Sequence, residues 1–304
     1  MASLKEVKGR IVSVTSTQQI TKAMKMVAAA KLRKAQDSIT QMRPYAKKLA
    51  VIMSNISSAN DDSTNNPFAQ ERPVNRVLII VITSDRGLCG AFNSNVAKAA
   101  NSLIEAKYSA QFRKGDGEIL SIGKKGYEFF SKRGFKVRDA HTSIFSQLSF
   151  AKVRLAAEEA MKGFLDKRYD RVDIVYNEFK NVATQIIRTE QFLPILEVKE
   201  DTKNATQAKA APAQNAVSDY IFEPSKEEIF AELIPKSLKV QLYKAVLESN
   251  ASEHGARMTT MDKATENAGE LLKQLKLVYN RTRQAAITKE ILEIVGGAEA
   301  LAAQ

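Results

Sequence analysis

Cysteine is almost absent from this sequence, histidine is scarce, and no apolar run approaches the length of a membrane span. The 304 residues include one cysteine, Cys89, and two histidines. A lone thiol excludes an internal disulfide and fits a reducing compartment. So few sulfur and imidazole ligands leave little material for a zinc site. No segment reaches the roughly 18 consecutive apolar residues that a spanning helix needs. The opening "MASLKEVKGR" lacks the apolar centre of a signal peptide, and its Glu6 argues against a transit peptide. Between residues 3 and 57 there is no glycine after Gly9, and the only proline is Pro44. Aromatic residues are also missing ahead of Pro44, so this stretch has no platform on which unpaired bases could stack.

What is present is positive charge, unevenly spread. The formal net charge is +12. Residues 1–57 hold eleven lysines and arginines against two acids, Glu6 and Asp37, whereas residues 224–304 are balanced at eleven of each. A basic stripe of this kind serves nucleic acid, anionic lipid or an acidic protein partner, or is simply a solvated helix face.

Residues 1–57 read as one long helix. Apolar side chains fall at Leu4, Val7, Ile11 and Val14, then at Met24, Ala28, Leu32, Ala35, Ile39 and Met42. Steps of three and four residues mark a coiled-coil seam. Polar residues of "TSTQQITK" interrupt it between Val14 and Met24. A turn-rich linker follows at 57–73, and residues 74–198 then change character. "RVLIIVITS" is a buried β-branched strand, and "GEILSIG" and "FKVRDAH" are further strands. "RVDIVYNEF" and "TQIIRTEQFLPI" form a pair, and amphipathic helices lie between these segments. Strands alternating with helices predict a mainly parallel sheet covered on its faces. Residues 199–223 begin as a polar, alanine-rich loop, and 224–304 form a second long helix. Its seam runs through Ile229, Leu233, Val240, Tyr243, Val246, His254, Met258, Met261, Thr265, Ala268, Leu272, Leu275 and Val278. Pro235 should kink this helix or detach its first turns.

The fold class is therefore α/β: a long antiparallel coiled coil of the N- and C-terminal helices plus a central Rossmann-like domain. Both helices join the same domain, so Leu4 should lie near Asn280, and the C-terminal helix should outrun its partner by about 20 residues at 1.5 Å per residue. That excess contains "NRTRQAAITKE" and "ILEIVGGAEALAAQ".

Catalytic chemistry is not visible. The turn "TSDRGLCGAFN" carries only Gly87 and Gly90 and matches neither a dinucleotide fingerprint nor a phosphate loop. Cys89 reads as a small buried residue, His254 as a packed seam side chain, and Glu158 and Glu159 as helix-surface charges. No cofactor and no metal site are expected.

Three segments nevertheless carry a resemblance. "TQQITKAMKMVAAAKLRKAQ", "SDRGLCGAFN" and "ESNASEHGARMTTMDKATENAGELLKQLKLVYNRTRQAAITKEILEIVGGAEAL" closely resemble the gamma subunits of F-type ATP synthases, in order and over essentially the whole chain. The resemblance implies a non-catalytic rotor shaft that couples proton flow through a membrane c ring to ATP synthesis or hydrolysis. Its partners would be alpha and beta ATPase subunits, an epsilon subunit (delta in mitochondrial naming) and the c ring, with no nucleic acid. It implies contacts with the catalytic head at Lys22, Met24, Lys25, Arg257, Arg283, Gln284 and Thr288. Contacts of the foot with the c ring are implied at Arg43, Tyr45, Tyr220, Phe222 and Glu223. The chain would be peripheral at the cytoplasmic face of a bacterial plasma (inner) membrane; the alternative is the matrix face of the mitochondrial inner membrane. A start at Met1 favours the bacterium. The loop at 199–219 is longer than the resemblance leads one to expect, and the cysteine-bearing insertion of chloroplast relatives is absent, which argues against thiol control. Two rivals make other demands. A coiled-coil nucleic-acid binder would show salt-dependent DNA affinity. A nucleotide-using α/β enzyme would bind a ligand through residues 74–198.

Overall fold

The computed structural model describes residues 3–58, 67–182, 184–195 and 226–302. Along the chain these form helix α1 (Leu4–Ser58), strand β1 (Val77–Ile82), helix α2 (Phe92–Leu103), helix α3 (Ser109–Lys114) and strand β2 (Gly117–Ile122). Helix α4 (Lys124–Ser131), strand β3 (Val137–Arg138), helix α5 (Phe150–Leu165), strands β4 (Arg171–Phe179) and β5 (Gln185–Leu193) and helix α6 (Lys226–Ala302) follow. The chain divides into two compact units, residues 31–256 and residues 1–30 with 257–304.

The larger unit is built on a five-stranded sheet in the order β3-β2-β1-β4-β5. Strands β1 to β4 are parallel and β5 returns antiparallel to β4. All six side chains of β1 are buried because the sheet is covered on both faces, which explains its unbroken Val/Ile/Leu run. Leu78, Ile80 and Ile82 pack with Val153, Ala156, Ala157 and Ala160 of α5 and with Ile234, Leu238 and Leu242 of α6. Val77, Ile79 and Val81 face the other way, onto Val96, Ala97 and Ala100 of α2 and Phe130 of α4. Helix α6 continues through Pro235.

Two local features depart from regular elements. Helix α2 passes into α3 through a π turn, Ile104–Tyr108, and the Tyr108 hydroxyl donates to buried Asp173 at 2.5 Å. The segment "FKVRDAH" gives only a two-residue strand. After Val137 pairs with Ile119, Arg138 turns its guanidinium to Glu118 and Glu159, and Asp139 opens a turn closed by the N–H of Thr142. One glycine is dictated by a close approach. Gly123 ends β2 at φ 104°, with the Thr83 carbonyl where a Cβ would stand.

The smaller unit is the start of α1 lying antiparallel to the end of α6. Val7, Ala28, Met261 and Ala268 are its buried seam residues.

Candidate functional site

The seam of the smaller unit explains the polar interruption. Between Val14 and Met24 the seam positions are Gln18 and Thr21, both half-buried. The Gln18 amide reaches the Thr265 carbonyl at 3.4 Å, and the Thr265 hydroxyl donates to Thr21 Oγ1 at 2.8 Å. Gly269 leaves room for the Gln18 amide on the facing helix. Polar groups thus replace apolar knobs with mutual hydrogen bonds, a device that favours one register over its neighbours at some cost in stability. One turn further on, Lys25 pairs with Asp262 at 2.5 Å. Gln18, Gln19, Lys22, Lys25, Asp262 and Thr265 together line a shallow polar hollow. Met24 sits half-buried on the same turn, and Arg257 is half-buried on the facing helix.

This register carries on to bring Leu4 level with Thr282, where both side chains are half-buried. Beyond that point α1 has ended and α6 has not. From Arg283 through Ala298 every side chain is exposed, including Arg283, Gln284 and Thr288. So are Ile287, Ile291, Leu292, Ile294 and Val295, the last two of which are 71% and 48% exposed. This stretch of helix, with its exposed apolar and amide side chains, has no partner among the described residues, and such a surface suits another molecule.

In the larger unit Arg43 has an internal partner. Its Nη2 lies 3.1 Å from Glu248 Oε1, its Nε donates to the same oxygen at 3.3 Å, and Nη2 also reaches the Phe179 carbonyl at 3.5 Å. Glu248 accepts the Phe179 N–H at 3.1 Å as well, with its side chain only 2% exposed against 48% for Arg43. Arg43 therefore ties α1, α6 and the end of β4 together. No sequence signal distinguished that role, since Glu248 is far along the chain and flanked by ordinary seam residues. Tyr45, two residues on, is exposed. Tyr220, Phe222 and Glu223 lie outside the described residues.

The turn after β1 holds Cys89 buried, accepting a hydrogen bond from Asn93 Nδ2 at 3.3 Å. Asn93 also bonds Ser84, so the thiol belongs to the packing of the turn. Leu88, next to it, is exposed at φ 64°. At the β3 edge, Arg138 bridges Glu118 and Glu159, His141 lies 2.8 Å from Glu159, and Tyr169 donates to Glu118 at 2.7 Å. Burial works to raise both carboxyls. Hydrogen bonds from Tyr169 and Arg138 to Glu118, and from Arg138 and His141 to Glu159, outweigh it and hold both below the usual range. Among the described residues no group of three or more metal-ligating side chains converges, and no helix is long and apolar enough to cross a membrane.

Comparison with known proteins adds to this geometry. The sequence profile of the ATP synthase family matches residues 3–301. The chain is 62% identical over 302 residues to the ATP synthase gamma chain of Cytophaga hutchinsonii, with 99% of each chain covered. It is 54% identical to that of Flavobacterium psychrophilum and 50% identical to that of Chloroherpeton thalassium, again with 99% of each chain covered. Among solved structures it is similar to a chain of the central stalk and c ring of the Tetrahymena thermophila mitochondrial ATP synthase, at 25% identity and a TM-score of 0.55, covering 81% of this chain and 99% of that one. A rotor chain of the Euglena gracilis mitochondrial ATP synthase shares the fold at 21% identity and a TM-score of 0.59, with coverage of 93% and 98%.

Proposed function

The chain belongs to the ATP synthase gamma-chain family, and from that membership we propose which of its surfaces carry the work of the rotor. As a gamma chain it is the central rotor shaft of an F-type ATP synthase. It is a non-catalytic subunit, and ATP synthesis and proton transport are properties of the assembly with alpha, beta and epsilon subunits and the c ring. The complex is peripheral to a membrane through that ring, and we assign it to the cytoplasmic face of a bacterial plasma membrane.

The observation that carries the assignment of surfaces is the bare end of α6. Arg283, Gln284 and Thr288 stand exposed on a stretch of helix with no partner among the described residues, and we assign them to contact with the catalytic head. Lower on the same unit, Lys22, Met24 and Lys25 meet the acidic lever of a beta subunit, and Arg257 meets the head from the facing helix. Lys25 is shared with Asp262, an exposed pair worth about 0–1 kcal/mol, so it exchanges partners cheaply as the shaft turns. That weakness suits a rotor, which must hold no orientation much more tightly than the next. The polar layer of Gln18, Thr21 and Thr265 keeps the two helices in step under torque. Three catalytic sites see three different faces of one asymmetric shaft, and each is biased between open and closed states accordingly. In the larger unit we assign Tyr45, with Tyr220, Phe222 and Glu223, to the contact with the c ring; Arg43, two residues before Tyr45, fastens that part of α1 to α6 and β4.

Charge reversal tests the collar. Lys22→Glu with Lys25→Glu should lower ATP-driven proton pumping in membrane vesicles more than it lowers ATP hydrolysis. Unchanged pumping and synthesis would remove these residues from the interface.

A further inference from the structure

The parallel strands of the larger unit all begin at one edge of the sheet, and that edge is strongly basic. Each connecting helix runs antiparallel to its strands, so the ends of α3, α4 and α5 arrive there together. Arg113 and Lys114 end α3, Lys132 and Arg133 follow α4, and Lys167 and Arg168 follow α5; all six are exposed. Three contacts fix these turns along the edge. Lys136 donates to the Gly115 carbonyl at 2.9 Å, Phe112 and Phe135 stack edge to face at 5.8 Å, and Arg76 Nη1 reaches the Lys167 carbonyl at 3.5 Å. The acids nearby are few. Asp116 and Asp166 are exposed, while Asp170 is taken up by the N–H groups of Asn75 and Arg76.

Cations at helix C-termini offset the helix dipole, and this accounts for part of the enrichment. A single such residue per helix would serve that purpose, yet each of these three turns carries two. We propose that this edge is an anionic-membrane contact: it attracts the phosphate headgroups of acidic phospholipids. The proposal rests on the reading that the chain works beside a membrane. Three features favour lipid over a protein partner. The basic side chains are long and exposed, Arg133 lying across the half-buried Phe129 ring at 3.5 Å, no exposed aromatic anchor lies among them in the described residues, and the charge follows the sheet edge. A fluid headgroup layer is also the same in every direction, so such a contact steadies a turning rotor without giving it a preferred angle.

Sedimentation of the purified full chain with phosphatidylcholine vesicles, with and without phosphatidylglycerol, tests this. Two variants lose the same charge: R113Q/K114Q/K132Q/R133Q at the edge, and K5Q/K8Q/K48Q/K98Q elsewhere. Circular dichroism melts establish that both fold. The expected result is binding that requires phosphatidylglycerol, weakens with salt and falls at least about tenfold in the edge variant while the control stays near wild type. Equal losses in both variants would reduce the effect to net charge, and wild-type binding by the edge variant would place the surface elsewhere; either overturns the proposal. So would intact vesicle binding with weakened capture of the detergent-solubilised c ring, which would make the edge a protein contact. None of these outcomes bears on rotation, so the proposal and the rotor assignment fail separately.

Discussion

Arg43→Ala should make the larger unit unfold more easily. Glu248 is the buried partner, and removing its guanidinium leaves a carboxylate out of water with one remaining donor, the Phe179 N–H. Truncating one side of a fully buried pair costs about 3–5 kcal/mol. Arg43 is half exposed, however, so water screens the pair and can partly replace the guanidinium. The surviving Phe179 bond lowers the cost further, and about 2 kcal/mol is the expected loss. At about 2–4 °C per kcal/mol for a unit of this size, the melting temperature should fall by about 4–8 °C. Arg43→Lys keeps the charge but cannot present two nitrogens in a fixed plane, so it should recover only part of the loss. Glu248→Gln in the Arg43→Ala background removes the stranded charge and should restore about 1 kcal/mol. Calorimetric melts of the purified chain measure all of these. If Arg43→Ala melts with the wild type but loses its hold on the c ring, the brace is not structural and Arg43 is an interface residue.

Three further outcomes follow from the same geometry. Gln284→Ala should reduce coupled ATP synthesis in membrane vesicles while leaving the melting temperature of the isolated chain unchanged, because the side chain is exposed; an equal loss of thermal stability would contradict this. Gly123→Ala should destabilise by more than about 2 kcal/mol, since it combines positive-φ strain with a collision at the Thr83 carbonyl, and a wild-type denaturation midpoint would refute it. Glu118 and Glu159 have folded pKa values held below their unfolded ones, so their contribution is complete above about pH 4.5 and is lost as pH falls through the depressed folded values. Glu118→Gln with Glu159→Gln should therefore flatten the acid side of the stability–pH curve, and an unchanged slope would count against the network.

The sequence was most legible where a repeat imposed it. Steps of three and four residues located Val7, Ala28, Met261 and Ala268 in the seam, because only buried positions must be apolar. Counting the two helices from their common domain gave the overhang of α6. The β-branched run of β1 announced a strand covered on both sides. Other features had no local signature. Gln18 and Thr21 interrupt the seam when α1 is taken alone, and Thr265 opposite them completes a hydrogen-bonded layer that cannot be read from one of its two helices. The brace between Arg43 and Glu248 likewise joins residues far apart in the chain, and the basic sheet edge gathers three short turns that are unremarkable singly. Periodicity does not say which molecules an exposed helix end meets; the contacts proposed for α6 come from family membership.

Rotation of the shaft can be observed directly. Cys89 is buried, so Ser131→Cys on the exposed end of α4 provides a single reactive thiol for a bead or rod. With the alpha and beta subunits immobilised and ATP supplied, the probe should turn in one direction about the head. A probe that keeps a fixed angle while the same complexes hydrolyse ATP would contradict the account.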